Sequence, residues 1–366
     1  MTMRREHACH NRCWFEVQGS RFEGKTVPRP SLNLEPSTVN RSPRGSILLL
    51  VVWAVTLLSL FAVSVASQAS FAFGLTERLS DRLRASYVAR GAAQYAAAAL
   101  EMDDSAPDGF VEAWSDAPGW FLDHPLGDGV FRIRAEEPGA NGQPRYGLTD
   151  EDRYLNLNTA LRDMLQRFFQ LAGGLREEEA ASLAAAIEDW RDQDDTPVPK
   201  GAESSYYRGL EDAYDCKNGS FESVEELRLV RGMSPALYRM LEPHLTVYGS
   251  GQLNVNTAGR AALLALGLSE LGADGVLFYR AGEDNVEGTG DDRRLSSVAA
   301  LASEWAPYVP AEDLARLTPA IQAGVLGVSS GAFRLRIEAS SGRSSSPLRV
   351  FCVMDRDGTI RRWNEE

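Results

Sequence analysis

The polarity pattern of the chain changes period several times, and the first change is the sharpest. From Ser46 to Thr76 no residue carries charge, and Ser46 to Ala66 alone matches the roughly 20 residues that cross a bilayer core as a helix. No Gly or Pro interrupts the run before Gly74. Leu75, Leu79, Leu83, Tyr87, Gly91 and Tyr95 then recur at every fourth position, flanked by Val88, Ala92 and Ala96, which predicts one helix to about Met102, its first half in lipid and its second half amphipathic. A cleaved export signal ending at Ser64-Val65-Ala66 is the competing reading, but such signals carry shorter apolar cores.

Beyond this helix the period falls to two. Phe131, Ile133 and Ala135 alternate with Arg132, Arg134 and Glu136, and a second strand is expected near Arg145 to Leu148 after the turn at Pro138 to Gln143. The far end alternates again, at Phe333, Leu335 and Ile337 and then at Leu348, Val350 and Cys352, with Ser340 to Ser346 as the connecting loop and Asp357-Gly358 turning the last hairpin. The intervening stretch is helical, with one helix over Leu161 to Leu171, another over Ala180 to Trp190, and two short ones about Gly232-Met233. Within it Leu-Asn-Leu-Asn-Thr-Ala at 155–160 returns as Leu-Asn-Val-Asn-Thr-Ala at 253–258. Thr159 and Thr257 are expected to cap the following helices. The fold class is therefore α+β, a strand layer interrupted by two related helical modules of helix-hairpin-helix (SAM-like) type. Its segments are a leader at 1–45, the spine helix at 46–103, strands at 104–158, helical modules at 159–250 and 251–322, and closing strands at 323–366.

Charge orients this arrangement. The net charge is −13, yet residues 1–45 hold eight Lys/Arg against four Asp/Glu, which leaves −17 for the remainder. Arg41 and Arg44 stand before the apolar run and Glu77 is the first charge after it, so the positive-inside rule puts the N-terminus in the cytoplasm and the acidic body in the periplasm, anchored by a single pass in the inner membrane. An acidic body repels phosphate backbones, which argues against a nucleic-acid partner. Asn-Thr-Ala openings also occur in helix-hairpin-helix proteins that bind DNA. A hairpin at Gly232-Met233-Ser234, preceded by Arg228 and Arg231, keeps a membrane-anchored periplasmic DNA- or protein-binding module as the alternative.

Between Asp189 and Glu226 the chain packs eleven Asp/Glu against four Lys/Arg, interleaved with Trp190, Tyr206, Tyr207, Tyr214 and Phe221. Asp192, Asp194, Asp195 and Glu203 supply hard oxygen ligands at a density suited to Ca²⁺, a solvated acidic loop being the bland alternative. Asp284, Asp291 and Asp292, around Gly288 and Gly290, form a second calcium candidate that Arg293 and Arg294 could neutralise unaided. Cys216 and Cys352 are the two cysteines of the body, and an oxidising compartment would permit a disulfide between them. Cys9 and Cys13 precede the apolar run, and with His7 and His10 they match no zinc signature. No Walker loop, nucleophile elbow or dinucleotide fingerprint is present, so a non-enzymatic role is expected.

The charged leader ending in Gly45 before an uncharged helix resembles the type IV prepilin and pseudopilin class. The resemblance implies cleavage between Gly45 and Ser46 by a prepilin peptidase. Val27 or Val39 could serve as an alternative start that leaves a shorter leader. Most members carry Glu as the fifth mature residue, whereas here it is Leu50; a subunit with no predecessor has no terminal amine to pair. Asp-Trp-Arg-Asp-x-Asp at 189–194, Gly201-Ala202-Glu203, Tyr206-Tyr207, the segment from Ser223 to Met233 and both Asn-Thr-Ala repeats resemble the large minor pseudopilin K family of type II secretion. What this implies is a pilin-like layer with an inserted helical domain, calcium in the acidic loop, and a place at the pseudopilus tip beside the minor pseudopilins I and J. Other pseudopilins and the inner-membrane secretion platform would be further partners. Where that family follows Gly-Ala-Glu with Asp, this chain has Ser204, which removes one carboxylate from the implied ligand set.

Overall fold

In the computed structural model, the described residues are 46–103, 106–139, 142–341 and 346–366. The leader, with Gly45, Cys9 and Cys13, lies outside them. The chain divides into two units, Met1–Ser67 and Gln68–Glu366. In the first, the described residues are wholly helical, and from Ile47 onward every side chain is exposed. They open α1, Ser46–Met102, which among the described residues is the one helix long and apolar enough to span a membrane.

In the second unit the rest of α1 packs on a sheet, but not by the stripe of large residues that the fourfold spacing suggested. Ala85, Val88, Ala89, Ala92, Ala93, Ala96, Ala99 and Leu100 are buried, whereas Leu75, Leu79, Leu83 and Tyr87 remain exposed. Small side chains let the helix axis approach the sheet closely, and at the contact point Gly129 has no room for a Cβ because Val88 fills the space. After α2, Pro118–Phe121, come β1, His124–Leu126, β2, Gly129–Arg134, and β3, Thr149–Asp150.

The expected strand near 145–148 is displaced. Those residues bond irregularly, Ala117 N–H to Tyr146 O and Leu148 N–H to Trp114 O, and only Thr149 and Asp150 reach a strand. The chain returns to the sheet at β8, Ala332–Ser341, β9, Leu348–Asp355, and β10, Ile360–Glu365. The order is β1-β2-β8-β9-β10, antiparallel at each junction, with β3 continuing the row of β2 along β8. Phe131, Ile133, Phe333, Leu335, Ile337, Val350 and Cys352 meet the alanine face of α1 in one core.

The helical part is inserted between β3 and β8. Its first repeat runs β4, Leu155–Asn156, α3, Arg162–Leu171, α4, Glu177–Arg191, α5, Ser204–Tyr207, a 3₁₀ turn at Val224–Leu229, α6, Pro235–Leu241, and β5, Leu245–Thr246. The second runs β6, Leu253–Asn254, α7, Arg260–Ala265, α8, Glu270–Arg280, α9, Leu301–Trp305, α10, Ala311–Arg316, α11, Thr318–Gln322, and β7, Leu326–Gly327. Each repeat closes on itself, because β4 pairs parallel with β5 and β6 pairs parallel with β7. Both repeats share a single hydrophobic core.

The repeated asparagines explain the motif. Asn156 and Asn254 each accept from the amide two residues on, while Asn158 grips the backbone of Phe221 and Asn256 that of Leu295 through both ends of the amide. The threonines do not cap helices. Thr159 donates to Gly251 O and Thr257 to Asp150, because α3 and α7 start later, at N-caps Leu161 and Gly259.

Where layer and insertion meet, buried carboxylates hold the crossings. Asp150 accepts from Asn254, Asp152 from the amides of Ser250 and Gly331, and Asp108 pairs with Arg356 while accepting from Ser330 N–H. Burial pushes Asp150 up to about 6 and Asp152 up to about 7.

Candidate cation site and the family of the chain

The C-terminal end of α4 carries Asp189 and Asp192, three residues apart and hence neighbours on one helix face. Arg191 between them turns the other way and donates to Leu157 O and Ala160 O. The following loop folds back so that Glu203, just before α5, faces them. Oxygens of Asp189, Asp192 and Glu203 all lie within 4.8 Å of one another. Asp189 and Glu203 are fully buried, at 0 % and 1 % exposure. The loop can pass this close because Gly201 has no side chain; a Cβ there would overlap Asp189 Oδ2.

Asp189 Oδ1 accepts from Val198 N–H at 3.0 Å. Asp189 Oδ2, Asp192 Oδ1, both oxygens of Glu203 and Asn218 Oδ1 are buried acceptors without a hydrogen-bond partner. Buried oxygens without donors cost about 1–3 kcal/mol each, and three carboxylates this close repel one another. Burial raises Asp189 and Asp192 above the ordinary carboxylate range, and burial with the neighbouring Asp189, Asp192 and Asp195 pushes Glu203 up to about 7. A divalent cation relieves both costs. The donor set, all hard oxygen, fits Ca²⁺, which takes six to eight such ligands including side-chain amides and waters.

The carboxylates that cluster are not all those expected from the sequence: Asp192 and Glu203 are joined by Asp189, without Asp194 and Asp195. Asp194 and Asp195 turn to the loop itself, accepting from Thr196 N–H at 2.8 Å and Ser204 N–H at 3.2 Å. Asp189, buried, stands with Asp192 and Glu203 instead, and its spacing from Asp192 along the helix was the signal available. Asn218, whose Oδ1 is also a buried acceptor without a partner, sits in a left-handed backbone turn at φ 48° and donates its amide to Asp194 O. Ser204, where the family resemblance led to a carboxylate, accepts from Cys216 N–H at 3.3 Å and so closes the loop.

The second calcium candidate is not assembled. Asp291 accepts from the amides of Glu283 and Asp284 and from the Thr289 hydroxyl, which lower it to about 2. Asp284 caps Val286 N–H and Asp292 caps Gly288 N–H. These carboxylates shape the loop instead of converging. Nor do Cys216 and Cys352 pair. Both thiols are free and buried, one in the helical core and the other on β9 beneath α1, because the two cores are separate. The cations of the Gly232 turn are likewise engaged: Arg231 donates to Gly201 O and covers the Tyr206 ring, and Arg228 covers Tyr238.

Comparison with known proteins agrees with this architecture. Residues 147–250 match the family model described as type II secretion system (T2SS), protein K. The type II secretion system protein K of Klebsiella pneumoniae is 30 % identical over 246 residues, covering 62 % of this chain and 71 % of that protein. The Dickeya chrysanthemi protein of the same name is 28 % identical over 278 residues, covering 64 % and 76 %. In fold, a chain from the crystal structure of the GspK-GspI-GspJ complex of the enterotoxigenic Escherichia coli type 2 secretion system superposes with a TM-score of 0.59 at 18 % identity, over 80 % of this chain and 99 % of that one. A long apolar helix, an antiparallel sheet and an insertion carrying the matched segment thus occur together, and the chain belongs to the type II secretion system protein K family.

Proposed function

We propose that this chain is a non-enzymatic minor pseudopilin that stands at the tip of a periplasmic pseudopilus, helps initiate its assembly, and so takes part in exporting folded proteins across the outer membrane. Its partners are the minor pseudopilins I and J, the neighbours of protein K in the complex named above. The observation that carries this reading is α1: one helix, apolar over its first half and alanine-faced over its second, with no acidic residue in its first turn. A carboxylate in that turn would serve to pair the terminal amine of a preceding subunit; a first subunit lacks that partner, and an unpaired carboxyl in lipid costs about 2.5–3.5 kcal/mol. The prepilin peptidase cleaves between Gly45 and Ser46, leaving the helix in the inner membrane with the body in the periplasm. The helical repeats, as helix-hairpin-helix (SAM-like) modules, act as a docking surface, and Ca²⁺ held by Asp189, Asp192 and Glu203 fixes the loop that joins α4 to α5.

Two measurements on the chain expressed beside its neighbouring pseudopilins test this. The membrane-bound protein should begin at Ser46, and affinity-tagged full-length protein should co-purify with pseudopilins I and J. A body found free in the periplasm, trimmed behind Ala66, or one that retains neither partner, refutes the assignment.

A further inference from the structure

A cavity of about 640 Å³ opens where Glu137 and Arg145 face α8 and the residues just after it. Phe110, Leu277, Phe278 and Val286 give it apolar walls, and Glu137, Arg145 and Glu287 line it as well. Three guanidiniums surround the Phe110 ring, those of Arg145, Arg153 and Arg280, at 4.9, 5.5 and 5.8 Å from its centroid. Two of them have carboxylates of their own, Arg153 pairing with Glu137 at 2.7 Å and Arg280 with Glu287 at 2.5 Å. Arg145 donates only to the carbonyl and hydroxyl of Ser115, and among the described residues no carboxylate forms an ion pair with it. Asp116 acts on it from a distance while accepting from Tyr146 N–H. The Nε of Arg145 is buried without a hydrogen-bond partner. Burial and the neighbouring Arg153 hold this guanidinium below its usual range, as expected of a cation that lacks a counter-charge.

We propose that this cavity binds an apolar group that ends in a carboxylate, with the carboxylate on Arg145 and the apolar part against Phe110, Leu277, Phe278 and Val286. Apolar walls with a small number of placed polar groups are the common form of a small-ligand site. A carboxylate supplies both the missing charge and an acceptor for the unpartnered Nε, and guanidinium–carboxylate bonds are among the stronger hydrogen bonds. A cationic ligand would have to displace Arg153 from Glu137 or Arg280 from Glu287. Phe278 is 53 % exposed, and an apolar occupant covers it. Two sources share this chemistry, the C-terminus of a polypeptide with a large apolar last residue and a free arylalkanoic acid. The cavity is lined by none of the carboxylates of the cation site, so the proposal stands apart from that reading.

The test uses the full-length chain in a nonionic detergent and calorimetric titration with three probes: N-acetyl-Gly-Ala-Phe, its C-terminal amide, and 3-phenylpropionate. Each is titrated into the parent, Arg145→Gln and Phe278→Ala, and the melting temperature of each protein is measured alongside. At least one of the two acids should bind the parent at one equivalent, and the amide at least about tenfold more weakly than its acid, or not at all, because a hydrogen bond between charged groups is lost. Binding of the peptide acid points to a chain end and binding of 3-phenylpropionate alone to a free acid; either supports the site. Arg145→Gln should abolish the preference for the acid. Phe278→Ala, at an exposed position, should keep the parent's melting temperature and weaken the acids by about fivefold or more, which keeps the test decisive if Arg145→Gln melts low. The proposal is overturned if neither acid binds the parent, if a peptide acid that binds does so no better than its amide, if a folded Arg145→Gln keeps the parent's affinity for the acids, or if Phe278→Ala does.

Discussion

Arg191 and Arg280 occupy equivalent places in the two repeats. Each is the last residue of its helix, α4 or α8, and each donates to the carbonyl just before its Asn-Thr-Ala motif and to that of the motif's alanine, Arg191 to Leu157 and Ala160, Arg280 to Val255 and Ala258. The repeat is thus a structural unit in which one arginine ties a helix end to the opening bridge. Arg280 is buried and pairs with Glu287. Its replacement by Met should destabilise the protein by about 3 kcal/mol, since two carbonyls and a carboxylate lose their donor. Denaturant unfolding measures this.

Chelation should lower the melting temperature. A cation at 100 times its dissociation constant stabilises by about 2.7 kcal/mol, or several degrees for a body of this size. Glu203→Gln should abolish the response to Ca²⁺ while leaving the chelated protein as stable as its parent or more so, because it removes a buried carboxylate from a repelling group. Equal calcium responses in the two proteins would count against Glu203 as a ligand.

Gly201→Ala should weaken Ca²⁺ binding by at least about tenfold, because the added methyl displaces Asp189 Oδ2 and a misplaced ligand typically costs 10–100-fold. Calcium titration by melting or calorimetry reads it directly.

At saturating Ca²⁺, stability should fall as pH rises from about 4 to about 7. Asp150 and Asp152 keep their protons in the folded state to about 6 and about 7, whereas unfolded carboxyls release theirs near 3.9. The folded protein therefore binds more protons over this window, and the stabilisation is complete below the unfolded value and lost as pH climbs through the folded ones. The slope is about 1.4 kcal/mol per pH unit for each proton by which the states differ. A flat profile at fixed Ca²⁺ would show that both carboxyls are ionised in the fold.

Ala92→Leu should destabilise by about 1–3 kcal/mol through overpacking against the sheet, while Leu79→Ala, on the exposed face, should leave unfolding of the body unchanged within about 0.5 kcal/mol.

Much of this protein is written in local pattern. The length of the uncharged run, the alternation at Phe333, Leu335 and Ile337, and the Asn-Thr-Ala repeat each fix an element through nearest neighbours along the chain, so α1, β2, β8, β9 and the doubled helical region were legible. So was the acidic loop as a place. Which face of α1 is buried was not, because the choice between the leucine stripe and the alanine stripe depends on how closely a sheet assembled from both ends of the chain approaches it. Which acidic residues cluster was not legible either. Asp189, Asp192 and Glu203 cluster whereas Asp194 and Asp195 turn to the amides of Thr196 and Ser204, and only the folded loop decides which carboxylates face one another. The separation of Cys216 from Cys352 has the same origin: two cores formed by distant segments set the distance between residues that composition alone would pair.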